Sequence, residues 1–296
     1  MSVNEVAWLE AEDTPPQRES TWRRLLASRS GQWGLILTGI VLGLALLSAI
    51  GATPYDPISQ RPEDRLQGPS LAYLLGTDLF GRDVLSRSMA GVTSSLQVAV
   101  VAVFISAVLG TFFGVASGFY GNRVRGPLNA LTNILFAFPP LLLALALASV
   151  ATRNWFTVAV AIAIVYIPIF VRVTRAPVLS LRETDFIKAA RVLGFSSNRI
   201  LFRHVLPNIL PIVIVQVTLS MSWAVLTAAA LSYLGLGTPP PTPALGSMVF
   251  EAKNLAATAW WTMAAPGLVL IVFVVGLNLL GDGLRDALDP RNESNA

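Results

Sequence analysis

The 296-residue chain is 54% hydrophobic and only 13% charged, where an ordinary soluble domain carries about 25% charged residues. That balance excludes a soluble globular fold, which would lack the polar surface to cover itself, and the absence of cysteine excludes a disulfide framework or a thiolate centre. The net charge of +4 points to membrane topology and not to nucleic acid, because the basic residues flank apolar runs and form no basic face with interleaved aromatics.

Residues 1–30 are polar, mixed in charge and carry Pro15-Pro16. They read as a flexible tail whose Trp22 to Ser30 end lies on the membrane surface. Apolar runs then predict six transmembrane helices near residues 33–52, 95–119, 128–151, 155–174, 209–234 and 262–281. The first exceeds a signal-peptide core and follows a mainly acidic tail, which predicts an uncleaved anchor. Residues 53–92 form a long connection with Pro54, Pro57, Pro62 and Pro69, in which Leu79, Phe80, Val84 and Leu85 among alternating charges predict an ordered amphipathic piece.

In the second span Gly110, Gly114 and Gly118 recur every four residues and leave one face bare for close helix packing. Pro139-Pro140 predicts a kink or break in the third. The fourth has the shortest uncharged run, Asn154 to Val171, about 27 Å of helix, which suffices once Arg172 snorkels outward. Residues 235–260 hold three consecutive prolines, Pro239 to Pro241, that forbid helix, and Trp260-Trp261 reads as an interfacial anchor opening the last span. With the N-terminus inside, only Arg61, Arg65, Arg82, Arg87, Arg153 and Lys253 among the basic residues fall outside, so both termini are expected in the cytoplasm.

The most informative segment is Ser180 to Pro207. Ser180 with Glu183 predicts a capping box, Phe186, Ala190 and Leu193 an apolar face, and Gly194 a left-handed helix end. Ser196 or Ser197 then caps a second short helix carrying Ile200, Leu201, Val205 and Leu206 as far as Pro207. Two short helices bent at a glycine make a knuckle that suits a groove on another protein. The residues alone equally allow a linker resting on anionic headgroups.

What is missing matters as much. The only lysines, Lys188 and Lys253, are not preceded by the glycines of a phosphate-cradling loop, so the chain carries no ATPase site of its own. The uncharged runs supply no midplane ionisable group of the kind ion-coupled carriers use. Thr132, Asn133, Gln216, Thr218, Ser220, Ser222 and Asn278 are the polar residues within the spans, and interhelical hydrogen bonding is their expected role.

The 180–207 segment resembles the EAA loop of binding-protein-dependent ATP-binding-cassette importer permeases. Ala189, Ala190, Gly194, Leu206 and Pro207 stand at the expected spacing, while Lys188 replaces that loop's Glu and His204 its Ile. The resemblance to C-type permease subunits of peptide and nickel importers extends through Gly76-Thr-Asp-x-x-Gly-Arg-Asp83, Leu231 to Gly237, Pro240 to Met248 and Asn278 to Pro290.

It implies an all-α, polytopic type I importer permease in the plasma (inner) membrane. A cytoplasmic tail (1–30) would precede a first transmembrane helix with its external segment (31–92), then a permease core (93–285) carrying the coupling loop 180–207, and a cytoplasmic C-terminal tail (286–296). A homologous second permease would complete a central pathway. Two ATP-binding-cassette ATPases would hold the ATP and Mg, leaving this chain no cofactor, metal or catalytic residue, and a solute-binding protein would dock outside on residues 53–92 and 235–260. The coupling residues would be Ala189, Ala190, Gly194, His204, Leu206 and Pro207. Di- or oligopeptides are the implied solutes, with nickel or glutathione as alternatives within the group. A secondary carrier driven by an ion gradient and a membrane scaffold that moves no solute are the rival classes.

Overall fold

The computed structural model describes residues 20–150 and 152–288, apart from the side chains of Asn122 and Arg123. The Pro15-Pro16 tail and the C-terminal segment from Asp289 lie outside the described residues.

Helix α1 (Thr21–Ala27) lays Leu25 against the rest of the protein and turns Trp22 and Leu26 outward. It breaks at Ser28, whose hydroxyl caps α2 (Arg29–Ala49) by accepting from the Gly31 amide at 3.0 Å. After the ordered 50–83 loop, Asp83 caps α3 (Val84–Phe119), accepting from the Ser86 amide at 2.7 Å. At 36 residues α3 begins well before the apolar span expected at 95.

Helices α4 (Asn122–Phe136) and α5 (Pro140–Val150) meet at Pro139-Pro140 with a bend of 93°. The expected third span is therefore a broken one, as two adjacent residues without an amide proton require. Helix α6 (Trp155–Arg182) opens on a reciprocal capping box between Asn154 and Thr157. Two short helices follow, α7 (Asp185–Val192) and α8 (Ser197–Ile200), and a π-helical turn (Leu201–Val205) feeds α9 (Leu206–Tyr233). Helix α10 (Leu245–Ala252) and the long α11 (Trp261–Leu288) are the last helices among the described residues.

Among the described residues five helices are long and apolar enough to cross a membrane, and the bent α4–α5 pair makes six if it counts as one span. The glycine stripe of α3 does what its spacing predicts. A Cβ on Gly118 would stand 2.8 Å from Val178 Cγ1, one on Gly114 would sit 2.8 Å from the Val171 carbonyl and collide with Thr174, and one on Gly110 would strike Phe170. Phe170, Thr174 and Val178 are themselves four apart on α6, so the two helices mesh ridge to groove along their length.

The span with the shortest apolar run turns out to be the most enclosed: 56% of the apolar window of α6 is buried, against 39% or less in the other spans. A helix surrounded by protein needs less apolar length than one facing lipid. Val92, Ala99, Ile162, Phe170, Leu231 and Phe273 join α3, α6, α9 and α11 in one core.

Candidate functional site

A second, smaller apolar cluster sits at the knuckle end. Ile187 and Ala190 from α7, Ile200 from α8, Val205 from the π-helical turn and Ile209 from α9 are buried against Phe119 and Val178, at the ends of α3 and α6. The knuckle is thus seated on the bundle. Two expectations need correction. Ser180 lies inside α6, and α7 is preceded by Thr184, so Ser180 and Glu183 form no capping box. The unbroken α6 uses these residues to finish its last turn, with the Glu183 amide reaching the Ser180 carbonyl at 3.2 Å. The buried face of α7 is Ile187 with Ala190, whereas Phe186 and Leu193 are exposed.

At Gly194 the bend takes the form that its position predicts. Its φ is +77°, the Phe195 amide reaches back to the Ala190 carbonyl at 3.0 Å, and the Gly194 amide to Arg191 at 3.0 Å. This Schellman pair satisfies the carbonyls at the end of α7. Ser196 caps α8, accepting from the Arg199 amide.

Pro207, by contrast, does not end the second helix. The chain from Ser197 to Tyr233 runs as one 37-residue helix. Pro207 has no amide proton to donate, and the π-helical turn just before it takes up the mismatch. There the Leu206 amide bonds five residues back to Leu201, and the Asn208 side chain donates to the His204 carbonyl at 2.6 Å.

Of the residues picked out by the sequence, Ala190 faces the chain's own cluster, Ala189 and Gly194 are exposed, and Leu206 is half-buried beside an exposed Pro207. His204 packs edge-on to Phe186, with ring centroids 6.3 Å apart. The outermost apolar side chains of the knuckle are ones the motif does not mark: Val192 is 88% exposed, Leu193 73% and Phe202 71%. Lys188, Arg191, Arg199 and Arg203 belong to the same projection.

The opposite end is a crown built on the Gly76–Asp83 block. Arg82 pairs with Asp78 at 2.6 Å and with Glu251 of α10 at 2.9 Å, and Arg87 reaches the same two carboxylates at 3.3 and 3.5 Å. Trp261 donates its indole N–H to the Thr77 carbonyl at 3.1 Å. It therefore serves the crown as a packing and hydrogen-bonding partner, while Trp260 stays exposed. Within the same loop Tyr73 donates to Asp64 at 2.6 Å, and that bond raises the phenol above its ordinary pKa.

Asp78→Asn removes a charge shared by two enclosed guanidinium groups. We expect a loss of about 1–3 kcal/mol, below the roughly 3–5 kcal/mol for a fully buried pair because Glu251 remains and its side chain is 41% exposed. A lowered Tm in detergent together with new protease cleavage in the 53–83 loop checks this. An unchanged Tm would remove the network from any role in holding the crown.

The in-span polar residues divide. Ser222 donates to Asn278 at 2.7 Å, joining α9 to α11 as expected. Thr132 and Thr218 bond to carbonyls of their own helices, and Gln216 donates to Ser220 one turn on. Tyr166 and Thr227, which the sequence had not singled out, share a 2.9 Å hydrogen bond between α6 and α9.

Comparison with known proteins agrees with this architecture. The profile of the binding-protein-dependent transport system inner membrane component family matches residues 110–294. The dipeptide transport system permease protein DppC of Alkalihalophilus pseudofirmus is 40% identical over 279 residues, covering 94% of this chain and 91% of its own. The di/tripeptide transport system permease protein DppC of Pseudomonas aeruginosa is 40% identical over 283 residues, covering 94% and 93%. The glutathione transport system permease protein GsiD of Pectobacterium atrosepticum is 38% identical over 284 residues, covering 94% and 92%. Among solved structures, the inward-facing MetNI methionine ABC transporter superposes with a TM-score of 0.58 at 20% identity, over 70% of this chain and 96% of that one; this likeness shows the fold. With relatives this similar along nearly its whole length, the chain belongs to the family of binding-protein-dependent transport system inner membrane components.

Proposed function

We propose that this chain is the permease subunit of an ATP-binding-cassette importer that carries di- or oligopeptides across the inner membrane. Its knuckle faces the cytoplasm and receives the stroke of separate ATPases. The observation that carries this reading is the knuckle itself, an apolar tip exposed at Val192, Leu193 and Phe202 but rooted in the bundle through Ile187, Ala190 and Val205. Exposed apolar side chains ringed by charge mark an interaction surface. The peptide class comes from the dipeptide and di/tripeptide permeases it resembles.

In this reading a homologous second permease encloses the pathway, a solute-binding protein docks on the crown, and two ATPases bind ATP and Mg and seat the knuckles. Ala189, Gly194, His204, Leu206 and Pro207 belong to the docking and transmitting part, and Ala190 anchors it. The concentration of Arg182, Lys188, Arg191, Arg199, Arg203 and Arg285 at the knuckle end supports the cytoplasmic assignment of that end and of both termini. No residue of this chain performs chemistry. ATP-driven closure of the ATPases shifts the bundle between outward- and inward-facing states.

Leu193→Glu tests the reading without touching the core, since the side chain stands clear of the fold. The variant is expected to insert and keep its Tm while losing at least about tenfold in ATPase capture and peptide uptake, the effect of a charge placed in an apolar interface. Normal uptake by this variant, or uptake that survives ATP depletion and follows an ion gradient, overturns it.

A further inference from the structure

Two concavities adjoin along α9. One, of about 600 Å³, lies between the start of α5, Tyr166 of α6, and Ser220, Trp223 and Thr227 of α9. The other, of about 450 Å³, lies between α9 and the end of α11, where Arg285 reaches it. Gln216 and Leu219 line both, so the two hollows meet at these side chains.

This face differs from the outer sides of α3 and α11. From Val100 to Phe112 the exposed side chains of α3 (Val100, Phe104, Val108, Leu109 and Phe112) are apolar, the exposed Gln97 lying one turn nearer its start, and along α11 Leu268, Ile271 and Val275 are exposed and apolar. The furrow instead carries the half-exposed Gln216 amide, whose 3.0 Å bond to Ser220 engages one of its donors and leaves its carbonyl oxygen free to accept. It is also bordered by the α4–α5 break, where residues 137–139 are exposed. Helix ends leave carbonyl and amide groups without intrahelical partners, and at membrane depth such backbone is tolerated only against protein or a water-filled cavity. A polar side chain and an interrupted backbone on one concave face thus both exclude lipid.

We propose that this furrow is the solute-contacting wall of the pathway and that Gln216 hydrogen-bonds the main chain of peptides in transit. The inference rests on the peptide-import reading above and adds the contact residue and its chemistry. Peptides differ in side-chain charge but share main-chain N–H and C=O groups. A carboxamide both donates and accepts, and from Gln216 to Thr227 α9 has no ionisable residue. Away from Arg285 at the far end of the second hollow, this stretch of wall takes peptides without regard to charge.

The natural absence of cysteine in the chain makes the test clean. In proteoliposomes holding the complete complex with its ATPases, second permease and binding protein, Gln216→Cys and Trp223→Cys are expected to react with a membrane-impermeant charged thiol reagent, Trp223 lining the same hollow and being exposed. Leu268→Cys is not, after subtraction of labelling in the complex with the unsubstituted chain. Gln216→Glu is expected to lower the ratio of anionic to cationic dipeptide uptake by at least about tenfold, the effect of one added charge beside the moving solute.

Failure of Gln216→Cys and Trp223→Cys to label, both without nucleotide and with ATP, overturns the wall. Labelling with an unchanged uptake ratio overturns the contact role of Gln216. Labelling of the cysteine variants as expected, together with a wild-type complex that moves no peptide, overturns the peptide reading and leaves the aqueous wall standing.

Discussion

Gly114→Leu is expected to prevent the bundle from assembling, and Gly114→Ala to lower its Tm sharply. Even the Cβ of alanine would stand 2.8 Å from the Val171 carbonyl and overlap the Thr174 hydroxyl. Ordinary overpacking of a core costs about 1–3 kcal/mol, because side chains shift to absorb it. Here one neighbour is helix backbone and the other is a buried hydroxyl already donating to the Phe170 carbonyl at 2.7 Å. The helices must separate, and the leucine variant should lose more than about 3 kcal/mol. Gly43, which has open space around its missing Cβ, supplies the control, and Gly43→Ala should leave Tm nearly unchanged. Thermal unfolding followed by size-exclusion monodispersity reads both. A Gly114→Leu chain that stays monodisperse at the wild-type Tm would refute the meshing of α3 with α6.

The second large effect is on coupling and leaves the fold largely intact. A Cβ on Gly194 meets nothing within 4 Å, yet its φ is +77°. The penalty for a side chain there is purely conformational, about 1–2 kcal/mol for an ordinary L-residue and more for a β-branched one. Gly194→Val should therefore unwind the Schellman turn and redirect the tip of α7. The chain should still insert, because Ile187 and Val205 remain seated, while ATP-dependent uptake falls at least about tenfold. Gly194→Asn, which adopts the left-handed conformation readily, should retain most of it. Equal uptake by the valine and asparagine variants would separate the turn from transmission.

The features legible in the sequence are those set by local covalent geometry. Two adjacent prolines remove consecutive backbone donors wherever they occur, three glycines four apart bare one face of any helix, and Gly194 marks a left-handed turn without reference to its surroundings. The rest depends on partners distant in the chain. Glu251 meets Arg82 across 169 residues, and nothing in its own neighbourhood signals that contact. Ser180 and Glu183 had the spacing of a capping box, but α6 gains more by continuing over them than by stopping at Leu179. The buried face of α7 is not legible locally because an eight-residue helix offers two overlapping apolar sets, and which one is buried is decided by Phe119 and Val178 from other helices. Pro207 looked like a terminus because the widened turn that accommodates it has no sequence signature of its own.

Bridging at Pro207 has a mechanical consequence. The 37 residues from Ser197 to Tyr233 form a strut about 55 Å long, and a tilt of about 10° about its midpoint swings each tip through about 5 Å. A continuous helix couples its two ends, so motion imposed at one tip is expected to reach the other, whereas the 93° elbow between Phe136 and Pro140 interrupts the helix and leaves its two arms without that rigid link.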